Sequence, residues 1–99
     1  MEIIKLTENI VTSNTEEFKS AFEKLFSKSI YDIVVDFSEI RLICSSGLGV
    51  LLSAFKKTKN SGGDIKIIIP ESNREISQIF DITRLNTIFK VYRNIDEIK

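Results

Sequence analysis

Apolar residues fall into two rhythms along the 99-residue chain. In the first they run together in short blocks: Ile3-Ile4 with Leu6, Ile33-Val34-Val35 with Phe37, and Ile65 to Ile69. Short β-branched blocks suit strands, and the two inner blocks read as strands covered on both faces of a sheet. In the second rhythm apolar residues recur at i, i+3, i+4, i+7 and i+8, as Phe18, Ala21, Phe22, Leu25 and Phe26. That is one stripe on an amphipathic helix. A second helix is predicted through Val50, Leu51, Leu52, Ala54 and Phe55 to Lys56-Lys57-Thr58-Lys59, whose lysines complement the negative end of the helix dipole. A third puts Ile76, Ile79 and Phe80 on its inner face.

The boundaries are marked by residue chemistry. Asn14 or Thr15 caps the first helix, and Glu17 lies at capping-box distance from Asn14. Ser27-Lys28-Ser29 ends that helix. Asn60 to Asp64, with two glycines, is the clearest loop. Pro70 stops the third strand, Ser72 or Asn73 caps the third helix, and Asp81 to Leu85 breaks it. Leu85, Ile88 and Phe89 suit a short turn, Val91-Tyr92 a terminal edge strand open to another chain, and Ile95 to Ile98 a last turn. Strand–helix alternation of this kind implies one α/β domain with parallel neighbours and right-handed crossovers.

Composition narrows the function. Lys+Arg and Asp+Glu both number 14, so nothing favours electrostatic capture of nucleic acid or anionic lipid. There is no histidine and one cysteine, Cys44. A Cys/His zinc site, a Ser-His-Asp triad and a Cys-His pair are therefore excluded, as is an internal disulfide. No catalytic residue, metal ligand or cofactor is expected. The apolar runs are far shorter than the ~20 residues that span a bilayer, and the first residues do not read as a signal peptide. The expected location is the cytoplasm.

One segment stands apart. Val35-Asp36-Phe37-Ser38 is followed by Ile43-Cys44-Ser45-Ser46-Gly47-Leu48-Gly49: a strand, a loop, then two serines opening a helix. The first turn of a helix has unpaired N–H groups, and serine is a favoured cap for them. Glycine inside a helix costs about 1 kcal/mol against alanine. Gly47 and Gly49 therefore imply close approach of a packed element or a partner. A phosphate on a hydroxyl there would meet the positive end of the helix. Gly47-Leu48-Gly49 is too short for a dinucleotide loop, Lys56 is misplaced for a P-loop, and no Gly-x-Ser-x-Gly elbow surrounds Ser45.

The segment resembles the signature of STAS domains, and more narrowly of anti-sigma factor antagonists. In that family a strand ends in Asp-Phe or Asp-Leu, and Asp-Ser-(Ser/Ala/Thr)-Gly-Leu-Gly opens a helix. Asp36-Phe37-Ser38 and Ser45-Ser46-Gly47-Leu48-Gly49-Val50 match these pieces. The Gly62-Gly63 loop, the Ile65 to Ile69 strand and the Ile79 to Leu85 segment continue the match, over residues 8 to 93. The resemblance implies a single STAS-like domain over 1–99, a mixed sheet of about four strands with helices mainly on one face. It implies a non-enzymatic antagonist that binds an anti-sigma factor, often a serine kinase, and is released when that kinase phosphorylates Ser45. A serine phosphatase would reset the cycle. Asp36, Arg41, Cys44, Ser46, Gly47, Leu48 and Gly49 are the expected partner-binding residues. Two family carboxylates are replaced, one by Cys44 and one by Val11.

Plainer readings stand beside this one. Ser45 or Ser46 caps the helix and does no more; Cys44 is a small buried apolar group; Asp36 braces the loop after its strand. Glu39 and Arg41 are exposed, and Phe18, Phe22, Phe26, Phe55 and Phe80 are core. The alternative function is a STAS interaction subunit of a larger signalling or transport complex without phosphorylation. A third is an anion or nucleotide site at the helix start.

Overall fold

A computed structural model describes residues 1–99. Four strands, β1 (Glu2–Lys5), β2 (Asp32–Asp36), β3 (Asp64–Ile68) and β4 (Lys90–Tyr92), alternate with helices α1 (Thr15–Ser27), α2 (Ser45–Asn60) and α3 (Arg74–Ile82). The strands lie in chain order, and all three neighbouring pairs are parallel. The parallel neighbours that the alternation implies are present throughout, and the sheet is wholly parallel where the family resemblance implies a mixed one. Each strand–helix–strand unit steps to the next position in the same direction, so the right-handed crossovers bring all three helices to one face.

Strand alternation sorts the two faces. Ile33, Val35, Phe37, Ile65, Ile67 and Ile69 point into the core beneath Phe18, Phe22, Leu51, Ile76 and Phe80. Val34 and Ile68, on the opposite face, are also buried, as the unbroken β-branched runs predicted. Their cross-strand rows are Ile3, Val34, Lys66 and Lys90, and Lys5, Asp36, Ile68 and Tyr92. Each fully buried Ile or Leu contributes roughly 1.5–3 kcal/mol.

Aromatic contacts join the helical layer. Phe37 meets Phe80 edge-on at 5.5 Å, Phe80 meets Phe89 at 6.3 Å, and Phe89 meets Phe55 at 4.8 Å. Phe18, Phe22 and Phe26 continue along α1 to Tyr31. Of the five predicted core phenylalanines, Phe18, Phe22 and Phe80 are buried, while Phe26 and Phe55 are half-buried against the core.

The helix ends depart from expectation in an informative way. Asn14 precedes α1, yet its side chain does not cap it. Its Oδ1 accepts from Val11 N–H at 2.8 Å and its Nδ2 donates to Asn9 C=O at 2.8 Å, closing the 3-10 turn Thr12–Asn14 instead. Asn73 does cap α3, accepting from Ile76 N–H at 3.3 Å. After α2 the chain turns through Gly62 at φ +82°, where a side chain would be strained. At Gly63 a Cβ would lie 1.9 Å from the Tyr31 carbonyl oxygen, so only glycine lets α2 leave alongside β2.

Candidate functional site

The parallel sheet places the loops that follow β1 and β2 side by side, and α2 begins beyond them. Ile10 and Ile43 form an isolated parallel bridge, with Ile10 N–H donating to Leu42 C=O at 3.0 Å and Cys44 N–H to Ile10 C=O at 2.9 Å. Asn9 Oδ1 accepts from Arg41 N–H at 2.8 Å and Leu42 N–H at 3.2 Å. From the far side, the buried Asn73 donates through Nδ2 to Phe37 C=O at 2.9 Å and Ile40 C=O at 2.8 Å. Asp36 Oδ1 accepts from Ser38 N–H at 2.9 Å and so braces the loop after β2. The segment from Phe37 to Cys44 is thus held both locally, by Asp36 and the Ile40 N–H to Phe37 C=O bond, and from a distance, by Asn9, Asn73 and Ile10.

The first turn of α2 is pressed onto this platform. A Cβ on Gly47 would come within 2.7 Å of Ile10 Cγ2 and 2.9 Å of Ile43 Cγ1. Gly47 is buried, and its role is packing. Gly49 has nothing within 4 Å of where a Cβ would stand, and it is exposed. The two glycines that look alike in sequence thus face opposite ways.

Cys44, not a serine, holds the N-cap position, in extended conformation, and its side chain makes no cap bond. Its carbonyl accepts the first helical bond, from Leu48 N–H at 3.0 Å. The thiol is half-buried in a polar cluster, not an apolar pocket. Its Sγ lies 3.1 Å from Ser46 Oγ and 3.7 Å from Thr15 Oγ1, and the two hydroxyls are 3.1 Å apart. Thr15 also donates to Val11 C=O at 2.9 Å, which commits its proton. Ser46 is then the hydroxyl free to turn onto the sulfur. Its hydrogen bond, followed by the Gly47 N–H, lowers the Cys44 pKa below the ordinary thiol value by favouring the thiolate.

Ser45 differs from its neighbour. It is the first residue of α2, it is exposed, and no hydrogen bond engages its hydroxyl. Arg41 and Glu39 are exposed as expected, in ion pairs with Glu75 (4.0 Å) and Lys5 (2.8 Å). Leu48 is half-buried. The structure therefore brings Arg41, Cys44, Ser45, Ser46, Leu48 and Gly49 to one end of the sheet, with Gly47 beneath them and Asp36 bracing the loop behind. Sequence reasoning missed Asn9, Thr15 and Leu42. Leu42, three residues before Ser45, is 46% exposed, an apolar side chain left in water on this rim. Asn9 and Thr15 carry no local signal, because their partners lie about thirty residues away.

A parallel α/β frame with an unpartnered serine opening its second helix is the arrangement that the family comparison bears on. The STAS domain model matches residues 2–98. The chain belongs to the STAS domain family. A Thermotoga neapolitana relative, a TM1081 homolog assigned by name as an anti-sigma factor antagonist, is 29% identical over 85 residues, 85% of this chain and 74% of the relative. The crystal structure of the protein similarly assigned in Thermotoga maritima superposes with a TM-score of 0.86 at 26% identity, covering 97% of this chain and 83% of that one. SpoIIAA of Bacillus, solved in its phosphorylated form, gives a TM-score of 0.67 over 98% of this chain and 89% of its own; at 16% identity it speaks for the fold alone. No helix in this STAS domain is long and apolar enough to cross a membrane.

Proposed function

We propose that this STAS domain is an anti-sigma factor antagonist that works by reversible protein binding, with Ser45 as its phosphoacceptor. The contact surface is the rim formed by Arg41, Leu42, Ser45, Ser46, Leu48 and Gly49, with Cys44 half-buried among them. The observation that carries the reading is the contrast at the start of α2: Ser45 is exposed and unbonded, while Ser46 is held against Cys44 and Thr15. A kinase needs a hydroxyl it can draw into its own active site, and only Ser45 offers one here. The antagonist names of the Thermotoga relatives support the class of function.

The switch follows from charge. A phosphate on Ser45 adds about −1.5 to −2 charges at the edge of a binding surface. In the free protein that charge is solvated and faces the unpaired N–H groups of the first turn. In a complex it must be desolvated against the partner, and a loss of ~2.7 kcal/mol already weakens binding a hundredfold. The partner is an anti-sigma factor with serine kinase activity, a serine phosphatase reverses the mark, and the protein acts in the cytoplasm. With Cys44 and Val11 in place of the family's carboxylates, the thiol–hydroxyl cluster takes over the polar surroundings of the phosphoacceptor.

The test is phosphosite mapping by mass spectrometry on protein recovered from its native cells under phosphatase inhibition. The proposal expects phosphate on Ser45 and none on Ser46. A phosphate on Ser46, or an unmodified chain recovered with its partner under every growth condition, contradicts it. The second outcome would favour the interaction-subunit alternative.

A further inference from the structure

The outer edge of β1 carries no strand of this chain. Leu6 N–H donates inward to Asp36 C=O, so in a parallel ladder Glu2 and Ile4 share that direction. Ile3 and Lys5 therefore turn their backbone N–H and C=O outward. An edge of this kind is a template for another strand. Apolar surface lies along it: Met1 is 56% exposed and Ile3 47%. A groove lined by Ile3, Ile4, Glu17, Ser20, Ala21 and Lys24 runs between this edge and α1.

The side of α1 that borders the groove has an ordered composition. Glu16 and Glu17 stand toward its N-terminus, Lys24 and Lys28 toward its C-terminus, and the small residues Ser20 and Ala21 lie between. None of these four charges forms an ion pair within the chain. Lys24 and Lys28, one turn apart, repel. The helix dipole accounts for acids preceding bases along α1. It does not account for small residues at the centre of the row or for the row bordering an open strand edge. A twofold copy does, because it runs α1 antiparallel to itself: Glu17 then faces Lys24 of the copy, and the small residues allow the helices to approach.

We propose that a second copy of this chain docks here, β1 pairing antiparallel with β1 about a twofold axis near Ile4 while α1 pairs with α1. The occupant is self-complementary, as an isologous interface requires. Ser45 does not line this groove, so dimerisation leaves it accessible and is independent of the switch.

Sedimentation velocity over a concentration series tests this with the intact chain. The wild type should show a concentration-dependent dimer. Glu17→Lys and Lys24→Glu should each weaken it about tenfold or more, equivalent to ~1.4 kcal/mol. The double exchange should restore it, since the pairs re-form with signs reversed. Ile3→Pro removes an outward N–H and leaves the β2 ladder intact, so it should abolish the dimer while the circular-dichroism melt stays near that of the wild type. A wild type that stays monomeric to millimolar concentration overturns the proposal. So does a dimer indifferent to Ile3→Pro, or one weakened by both single exchanges and not rescued by the double.

Discussion

Helix α2 begins and ends by different means. Its exit is mostly a local device: Gly62 supplies the positive φ, Gly62 and Gly63 N–H groups return to Lys59 and Thr58 carbonyls, and only the absent Cβ of Gly63 answers to a remote residue, Tyr31. Its entry is assembled from a distance. Asn9, Asn73 and the Ile10–Ile43 bridge fix the preceding loop, and Gly47 lets the first turn settle onto them. A chain needs only the exit to reverse direction. The entry presents a rim held from several sides with one hydroxyl that no hydrogen bond engages, the two features on which the proposed switch at Ser45 rests. Rigidity lowers the entropy lost on binding, and modifying the Ser45 hydroxyl breaks no hydrogen bond within the chain.

The comparison breaks most sharply at Gly63. Gly63→Ala drives a methyl into the Tyr31 carbonyl, and backbone cannot yield as a side chain can. A loss of about 3 kcal/mol or more is expected in denaturant titration, with the rim disturbed only through global unfolding. Asn73→Asp should cost about 2–3 kcal/mol: it keeps the cap acceptor but strands the Ile40 carbonyl in the interior and sets a carboxylate oxygen against it and the Phe37 carbonyl, which keeps only the Ile40 N–H. Unlike Gly63→Ala, it should also raise hydrogen-exchange rates in residues 38–44 beyond the global change. Gly47→Ala meets the ends of two isoleucine side chains, which can shift, so about 1–2 kcal/mol is expected, again concentrated at the rim.

The smallest effects sharpen the contrast between the serines. Ser45→Ala should change stability by less than about 0.5 kcal/mol, since nothing bonds its hydroxyl. Ser46→Ala should move the Cys44 titration upward, because the hydroxyl that favours the thiolate is gone. The readout is the pH dependence of alkylation by iodoacetamide: half-maximal reactivity below the ordinary thiol range in the wild type, and higher in the variant. The sign for stability follows. With its folded pKa depressed, Cys44 contributes stability that is present above the unfolded thiol pKa and is lost as pH falls through the folded one.

Much of the fold was legible. β-branched blocks and the i, i+3, i+4 stripe of Phe18 to Phe26 answer to local packing, and the α2 exit is written in Gly62-Gly63. Strand direction is legible in the strand–helix alternation, which implies parallel neighbours; the expectation of a mixed sheet comes from the family resemblance and not from the residues. The candidate site is read from Ser45 to Gly49, but the support beneath it is not legible there. Asn9 and Asn73 act on carbonyls and amides more than thirty residues away, and an asparagine in a loop looks the same whether it binds water or a distant backbone. Cys44 reads as an apolar residue until Thr15 arrives beside it from another helix.

The most direct test of the central claim is capture from native lysate with three baits in parallel: the wild type, Ser45→Ala and Ser45→Asp, read by mass spectrometry. The account predicts that a serine kinase is recovered with Ser45→Ala and is lost with Ser45→Asp. Recovery of the same partner by all three baits would contradict it, leaving Ser45 as the plain first residue of a helix.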